Sequence, residues 1–323
     1  MTTDRDHPNF PPKAAALLHS IDTGAVLGAS RQLNVLGEVL LDVADVRAGD
    51  SEAMTADVLA LVHHVKRTRG ASSQAVLNGV DRMAAAILNP PRTEITRESG
   101  DRLVSSVRAF THDLDEWLAV LRKHGQRLLR TSRTVLAYDY SSTVAQVLAD
   151  LSVTDDGLTV FVAEARSLDG GHKYLADWSD RSMNVRLIPD AAVGWALRHC
   201  DAAVAGAETL SSEGGCYNTI GTAIVAHEAS RIGVPFYVLS VLLKTDLTTL
   251  GAERPSPSLN FLGLTQTVAP HGGAMSVQGG FPDLDYTDPA SITSVVTECG
   301  AVPPHQVREL ASSVLGPHAD VDD

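Results

Sequence analysis

Cysteine is scarce in this sequence. Three residues, Cys200, Cys216 and Cys299, are dispersed along the chain, and no C-x2-C pair is present. An odd number of unpaired cysteines argues against a disulfide framework and against a structural zinc site, since both need paired thiols. Three reduced thiols are typical of a reducing compartment. We therefore expect a soluble, intracellular protein of the cytoplasm.

Basic residues are also few: 26 Lys and Arg stand against 39 Asp and Glu, a formal net charge of -13. Because non-specific nucleic-acid binding depends on clustered Lys and Arg, and no basic tract is present, we predict no nucleic-acid partner. Long apolar runs are missing too, and Met1 to Pro12 lacks the charged-then-apolar order of a signal peptide. We therefore predict no membrane partner.

Apolar residues make up 44% of the 323 positions, enough for one large core or two modest ones. From residue 13 to 125 they recur three and four apart, which predicts a helical N-terminal domain. The expected helices cover 14–21, 24–43, 51–68, 75–88 and 99–124. Their apolar stripes are packing surface. At Lys66–Ser73, cations and hydroxyls precede a helix whose free amides could receive an anion, although a simple helix cap explains the pattern as well.

From Thr134 onward the apolar residues form short runs separated by helical segments. This alternation predicts an α/β domain over residues 126–323, a Rossmann-like, doubly wound parallel sheet with strands at 135–140, 159–165, 185–189, 202–207 and 236–241. Residues 250–280 are rich in Gly, Pro and Ser and predict a long active-site loop. A last helix is expected near 290–298.

Charged side chains follow every predicted strand, at the edge of the sheet where parallel sheets bind ligands. Burying a carboxylate without a partner is costly, so this pattern indicates a ligand crevice. The alternatives are a structural ion pair of Glu164 with Arg166 and a helix cap made by Asp190. Asp139 and Glu208, which have no cation next to them in sequence, are the candidates for proton transfer. Burial would raise the pKa of one of them toward the working pH.

Groups that can hold an anion stand near these strand ends. Ser141, Ser142 and Thr143 open one helix, and glycines flank Asn218 at the start of another. The sequence has no dinucleotide-binding fingerprint, no Walker loop, no HxxxH, no DxD cluster and no GxSxG elbow. It therefore predicts neither a cofactor nor a metal.

The segments around Glu208 resemble a known family. Gly206-Ala207-Glu208, Gly214-Gly215 and Asn218 to Thr222 are similar to the "GA(D/E)…G(G/D)…NKIGT" signature of the methylthioribose-1-phosphate isomerase and initiation factor 2B alpha/beta/delta superfamily. The resemblance extends over roughly residues 20 to 310, through Gly24-Ala25, Arg69 to Asn78, Tyr138 to Ser142, Glu164 to Arg166, Val234 to Val238 and Asp285 to Thr287.

The resemblance implies a helical N-terminal domain, a Rossmann-like C-terminal domain and a homodimer or higher homo-oligomer. Family enzymes isomerise ribose-1-phosphate derivatives without metal or nucleotide, using a cysteine and an aspartate at positions occupied here by Asp139 and Glu208. Together with the charged residues at the strand ends, the resemblance predicts a sugar-phosphate site. Its residues are Gly24, Ala25, Arg69, Ser72, Ser73, Tyr138, Ser141, Ser142, Arg166, Asp190, Gly215, Asn218, Thr219 and Lys244.

The departures from the family pattern leave more than one function open. Two carboxyl groups with separated pKa values can supply one acid and one base, which predicts an aldose-ketose isomerase of a phosphorylated sugar. A glutamate at 208 without the cysteine resembles the regulatory alpha subunit instead, which predicts a non-catalytic sugar-phosphate or nucleotide sensor. A scaffold role in a translation-factor-like assembly is a third hypothesis. Thr23 and Thr219 stand where the isomerases have two cations that hold the phosphate. Arg69, Arg166 and Lys244 remain as cations that could hold it.

Overall fold

The computed structural model describes residues 10–26, 28–71, 73–89, 99–154, 157–248, 258–260 and 280–315. The chain forms two compact units, residues 1–117 and 118–323, and each is described by itself. Among the helices of the described segments, none is long and apolar enough to cross a membrane.

The first unit is helical. Its helices are α1 (Pro12–Asp22), α2 (Ala29–Val46), α3 (Ser51–Arg67), α4 (Gln74–Leu88) and the first part of α5 (Ser99–Leu129). The predicted apolar stripes form its core, with Leu36 and Leu61 fully buried. Asp50 caps α3 by accepting a hydrogen bond from the Ala53 amide at 2.9 Å. The helices lie close to where the periodicity predicts them, except that α2 begins five residues later and α5 ends five residues later than expected.

The second unit is built on a seven-stranded sheet with the strand order β13-β12-β7-β4-β1-β2-β3. All neighbours are parallel except β12 and β13. Strands buried on both faces are apolar throughout, which explains the short apolar runs of the sequence. The strands are β1 (Thr134–Ala137), β2 (Thr159–Ala163), β3 (Asn184–Ile188), β4 (Ala202–Ala205), β7 (Phe236–Leu239), β12 (Ser294–Thr297) and β13 (Gly300–Val302).

Helices separate most of these strands, as a doubly wound sheet requires. They are α6 (Ser142–Thr154), α7 (Gly170–Asp177), α8 (Val193–Leu197), α9 (Thr222–Ile232) and α10 (Val307–Leu315). The chain passes from β1 outward through β2 to β3, then returns to place β4 on the other side of β1. The α/β prediction is therefore confirmed, and the strand order reverses between β1 and β4, where such sheets open a crevice.

A second, smaller sheet has the order β11-β6-β5-β8. It consists of β5 (Thr209–Ser211), β6 (Cys216–Thr219), β8 (Thr245–Asp246) and β11 (Leu284–Thr287). It was not predicted, because strands of two to four residues with mixed polarity have no readable period.

Two expectations for the C-terminal third can be compared with the structure. The predicted helix at 290–298 is wrong: a 3-10 turn (Pro289–Ser291) precedes β12, whose Val295 and Val296 are fully buried in the large sheet. β-Branched residues favour this pleated, buried setting. In the predicted 250–280 loop, β9 (Ser258–Asn260) pairs with β10 (Gly280–Pro282), and the rest lies outside the described residues.

Candidate functional site

The segments that follow β1 and β4 lie against each other at the reversal of strand order. Ala137 pairs with Val204 in the sheet, and the Tyr138 amide donates to the Val204 carbonyl at 3.1 Å. A Cβ on Gly206 would lie 2.7 Å from Ser141 Cβ, so only glycine allows this close approach. The chain around Asp139 and the chain leading to Glu208 therefore meet where the strand order reverses, and the region between these two residues is the candidate crevice.

Asp139 is buried in this crevice, with 9% of its surface exposed. Its φ of 56° lies in the left-handed region, a conformation that aspartate tolerates better than most residues. Burial raises the pKa of Asp139 to about 6, opposed by hydrogen bonds from the Thr219 side chain and the Tyr140 amide. Asn218 Nδ2 also points at Asp139 Oδ2, at 3.5 Å. The result is a carboxyl group that changes its protonation state close to neutral pH.

Glu208 lies three residues after the end of β4, near Asn218. Its amide donates to the Tyr217 carbonyl at 2.9 Å, so it lies beside Asn218, the residue whose amide group points at Asp139. The side chain is half-buried. The negative charge of Glu208 contributes to the raised pKa of Asp139, after burial itself. The two carboxyl groups thus act on each other electrostatically, which is the arrangement that separates an acid from a base.

The turn from Asn218 to Thr222 rests on Tyr138. Tyr138 Oη donates to the Ile220 carbonyl at 2.8 Å, and Asn218 Nδ2 donates to Thr222 Oγ1 at 3.0 Å. Gly221 has a φ of 103°, and any Cβ there would collide with Tyr138 Oη. Tyr138 therefore supports the turn that carries Asn218 and Thr219, and its hydroxyl is occupied by that task.

The amides at the start of α9, predicted to receive an anion, are already bound to a carboxylate of the chain. Asp285 of β11 accepts from the Gly221 amide at 2.7 Å and from the Ala223 amide at 3.2 Å. Gly215 is enclosed as well: its amide donates to Ser211 Oγ at 3.0 Å, and a Cβ would collide with the Tyr286 hydroxyl. Local spacing could not reveal this, because Asp285 follows 64 residues after Gly221.

The predicted charged residues after β2 and β3 mainly organise a loop. Asp190 accepts from the Ala165 and Arg166 amides at 2.9 Å each, using both carboxylate oxygens. The Arg166 guanidinium lies 3.8 Å from Asp169, and both side chains are more than half exposed. The alternative pairing of Arg166 with Glu164 is therefore not formed. Asp190 acts on the loop after β2 rather than on the helix that follows it.

The remaining predicted groups of this unit stand around the crevice. Lys244 Nζ donates to the Ala207 carbonyl at 2.5 Å and so braces the segment that carries Glu208. Ser141 Oγ accepts from the Val144 amide at 3.4 Å, and Ser142 begins α6 with an exposed side chain. Within the described ranges, no group of three or more His, Cys, Asp or Glu could hold a metal ion.

Among the predicted residues of the first unit, Arg69 is linked through Gln32 to the turn that contains Gly24 and Ala25. Arg69 Nε donates to Gln32 Oε1 at 2.9 Å, and Gln32 Nε2 donates to the Val26 carbonyl at 3.0 Å, next to the exposed Gly24–Ala25 turn. Ser73 precedes α4, is fully buried, and its hydroxyl has no hydrogen-bond partner among the described residues. Ser72 lies outside them.

The sheet of the second unit, parallel except at one edge and with its strand order reversing beside β1, defines a Rossmann-like domain. The chain belongs to the Initiation factor 2 subunit family, whose sequence model matches residues 26–304.

Relatives in this family carry two kinds of name. The chain is 25% identical to the ribose 1,5-bisphosphate isomerase of Archaeoglobus fulgidus over 69% of this chain and 71% of that protein. It is 23% identical to the translation initiation factor eIF2B subunit alpha of Caenorhabditis elegans over 84% of this chain and 89% of that protein. The family thus includes proteins named as sugar-phosphate isomerases and proteins named as initiation factor subunits.

Solved structures agree on the fold. The translation initiation factor eIF-2B of Pyrococcus horikoshii OT3 matches with a TM-score of 0.74, covering 91% of this chain and 98% of that one at 20% identity. The 5-methylthioribose 1-phosphate isomerase of the same organism matches with a TM-score of 0.72, covering 94% and 88% at 20% identity. At this identity the likeness establishes the fold.

Proposed function

We propose that this protein is an aldose-ketose isomerase of a phosphorylated sugar of the ribose-1-phosphate type. The observation that carries the proposal is the buried Asp139, whose pKa burial raises to about 6, beside Glu208 at the reversal of strand order. The isomerase names among the relatives support the substrate class.

The chemistry needs one proton donor and one proton acceptor. Asp139, with its raised pKa, is the acid that protonates the ring oxygen of the sugar while the bond from that oxygen to C1 breaks. Glu208 is the base that removes the proton from C2. Glu208 then delivers a proton to C1, and the C2 hydroxyl gives its proton to Asp139 as the C2 ketone forms. The sequence consumes no net proton, and the two residues end in their starting states.

The surroundings suit this division of roles. Thr219 and Asn218 orient the Asp139 carboxyl group, and Lys244 holds the Ala207–Glu208 segment through the Ala207 carbonyl. Fixing reacting groups before the substrate arrives removes an entropic part of the barrier. The ligand is a small sugar phosphate, and the reaction needs no metal or nucleotide. A homodimer or higher homo-oligomer is part of the proposal.

The test is incubation of the protein with a panel of aldose 1-phosphates, including ribose 1,5-bisphosphate, in deuterated water, followed by NMR. The expected result is a ketose carrying deuterium from solvent. Asp139→Asn and Glu208→Gln should each lose at least about a hundredfold in turnover, the usual size of one acid-base contribution, with affinity nearly unchanged. Asp180→Asn and Glu213→Gln change exposed acids of the same unit and serve as controls. Full activity of both Asp139→Asn and Glu208→Gln would refute the roles of Asp139 as acid and Glu208 as base.

A second function is favoured by a specific observation. Asp139 and Glu208 occupy the catalytic positions that the family resemblance assigns to a cysteine and an aspartate, and the relative named eIF2B subunit alpha aligns over most of both chains. A regulatory sugar-phosphate or nucleotide sensor would be stabilised by its ligand without converting it. A rise in melting temperature with aldose 1-phosphate, and recovery of that compound unchanged and free of deuterium, would select this function.

A further inference from the structure

The first turn of α7 presses against the buried carboxyl group of Asp139. A Cβ on Gly170 would lie 2.6 Å from Asp139 Oδ1 and 2.9 Å from the Tyr140 amide nitrogen. Gly171 is equally close to its neighbours, with a Cβ position 2.9 Å from Glu164 Cα. Two consecutive glycines therefore let the helix approach the site, and they determine which face of α7 is turned toward it.

Lys173 and Tyr174 lie three and four residues after Gly170, so they share its face of the helix. Their contacts agree with this. The Tyr174 ring centroid is 5.3 Å from that of Tyr140, and Tyr174 Oη accepts from the Ser141 amide at 3.2 Å. Lys173 Nζ is 6.0 Å from the Tyr140 ring centroid. The ammonium group is thus near the ring of Tyr140, the residue that follows Asp139, on an exposed side chain.

The charge of Lys173 reaches the site and is available to a ligand. It opposes the increase that burial produces in the pKa of Asp139, while Glu208 adds to that increase. Two other cations near the crevice are engaged: Lys244 binds the Ala207 carbonyl, and Arg166 pairs with Asp169. Lys173 is exposed, and in the described part of the chain no carboxylate forms an ion pair with it.

We propose that Lys173 binds the phosphate group of the sugar phosphate in the Asp139–Glu208 crevice. This inference rests on the proposed function in taking the ligand to be a phosphate monoester. Without a cation, the two carboxylates would repel such a ligand. Lys173 reaches the neighbourhood of Asp139 from α7, since it lies near the Tyr140 ring and acts electrostatically on Asp139.

The binding experiment is titration calorimetry with ribose 1-phosphate in a Glu208→Gln background, which suppresses turnover. Lys173→Met should weaken binding by about 10- to 100-fold, as expected for a charge-assisted hydrogen bond. Lys173→Arg should restore affinity to within about threefold, because the charge is kept. Lys123→Met removes an exposed lysine of α5 and should change nothing. Affinity for ribose, which has no phosphate, should not respond to Lys173→Met.

A second measurement needs no ligand. The pKa of Asp139, followed by carbon NMR of the carboxyl group in the otherwise native protein, should rise in Lys173→Met and return in Lys173→Arg. An unchanged pKa, or equal affinity of Lys173→Met and its parent for ribose 1-phosphate, would overturn the assignment while leaving isomerisation intact. Weakened binding without any turnover by the native protein would overturn the isomerase proposal and support Lys173. Absence of binding by every aldose 1-phosphate would overturn both.

Discussion

Asp139 combines a left-handed backbone, burial and a neighbouring negative charge. Each of these costs free energy of folding, and residues of this kind are concentrated at functional sites. The residue is therefore better explained by chemistry than by stability. A neutral amide of the same shape should relieve the electrostatic part of that cost, since asparagine also tolerates a positive φ.

Asp139→Asn should therefore stabilise the protein more at high pH than at low pH. The native pKa of about 6 exceeds the ordinary 3.8, so the native state binds more protons between pH 4 and 6, and the free energy of unfolding falls as pH rises through that window. The stability gained by the variant should be about 2 kcal/mol larger at pH 7.5 than at pH 4.5. Urea denaturation of both proteins at the two pH values measures this. If the two proteins differ in free energy of unfolding by the same amount at both pH values, the pKa of Asp139 is not raised.

Gly170→Ala should damage both the fold and the site. The new Cβ would lie 2.6 Å from Asp139 Oδ1 and 2.9 Å from the Tyr140 nitrogen, and the backbone atom cannot move aside cheaply. We expect a loss of about 1–3 kcal/mol in the free energy of unfolding. Gly194→Ala is the control, because its nearest neighbour is the flexible end of Glu228 at 3.3 Å. Equal stability of both variants by urea denaturation would mean that α7 is less tightly packed than described.

At the scale of elements, β11 and α9 depend on each other. Asp285 belongs to the small sheet, yet its carboxylate satisfies amides at the first turn of α9. This arrangement joins β11 to the turn from Asn218 to Thr222, because that turn begins with the last two residues of β6 and ends with the first residue of α9. A cap supplied by a distant strand thus positions two donors to Asp139.

Asp285→Ala should cost about 1–2 kcal/mol in the free energy of unfolding, the usual range for losing a helix cap. Hydrogen exchange at the Gly221 and Ala223 amides should become faster, since both lose their acceptor. Asp288→Ala removes a cap from only a three-residue turn, where Asp288 Oδ1 accepts from the Ala290 amide, and serves as the control. Unchanged exchange at Gly221 and Ala223 would show that the carboxylate is dispensable.

At the scale of the whole molecule, the family likeness predicts a homo-oligomer. Large apolar side chains of the second unit are exposed, among them Leu187 (42%), Trp195 (54%) and Ile224 (70%), and an interface between subunits would cover such side chains. We expect sedimentation equilibrium to give at least twice the chain mass of 34.2 kDa. A single-chain mass at tens of micromolar would contradict the prediction. Trp195→Ser should shift the mass downward, because it removes the largest of these exposed apolar side chains.

Much of the large sheet was predictable, since its strands are apolar runs with helices between them, and the Asp139 and Glu208 positions followed from the strand ends. The small sheet was not, because its strands are two to four residues long with mixed polarity, and two of its three pairings join strands far apart in sequence. Lys173 was missed because nothing local distinguishes it from a solvated lysine. Only the packing of Gly170 on Asp139 shows that the face of α7 that carries Lys173 is turned toward Asp139.

The order of apolar and polar residues by itself determined the helical first unit, the α/β class and the charged strand ends, because those depend on local periodicity. The tertiary structure alone decided which strands are neighbours, and so which charged groups meet. Asn218 reaches Asp139 across 79 residues, and Asp285 reaches Gly221 across 64. Such contacts arise from chain topology and packing, and the local period of the sequence does not encode them.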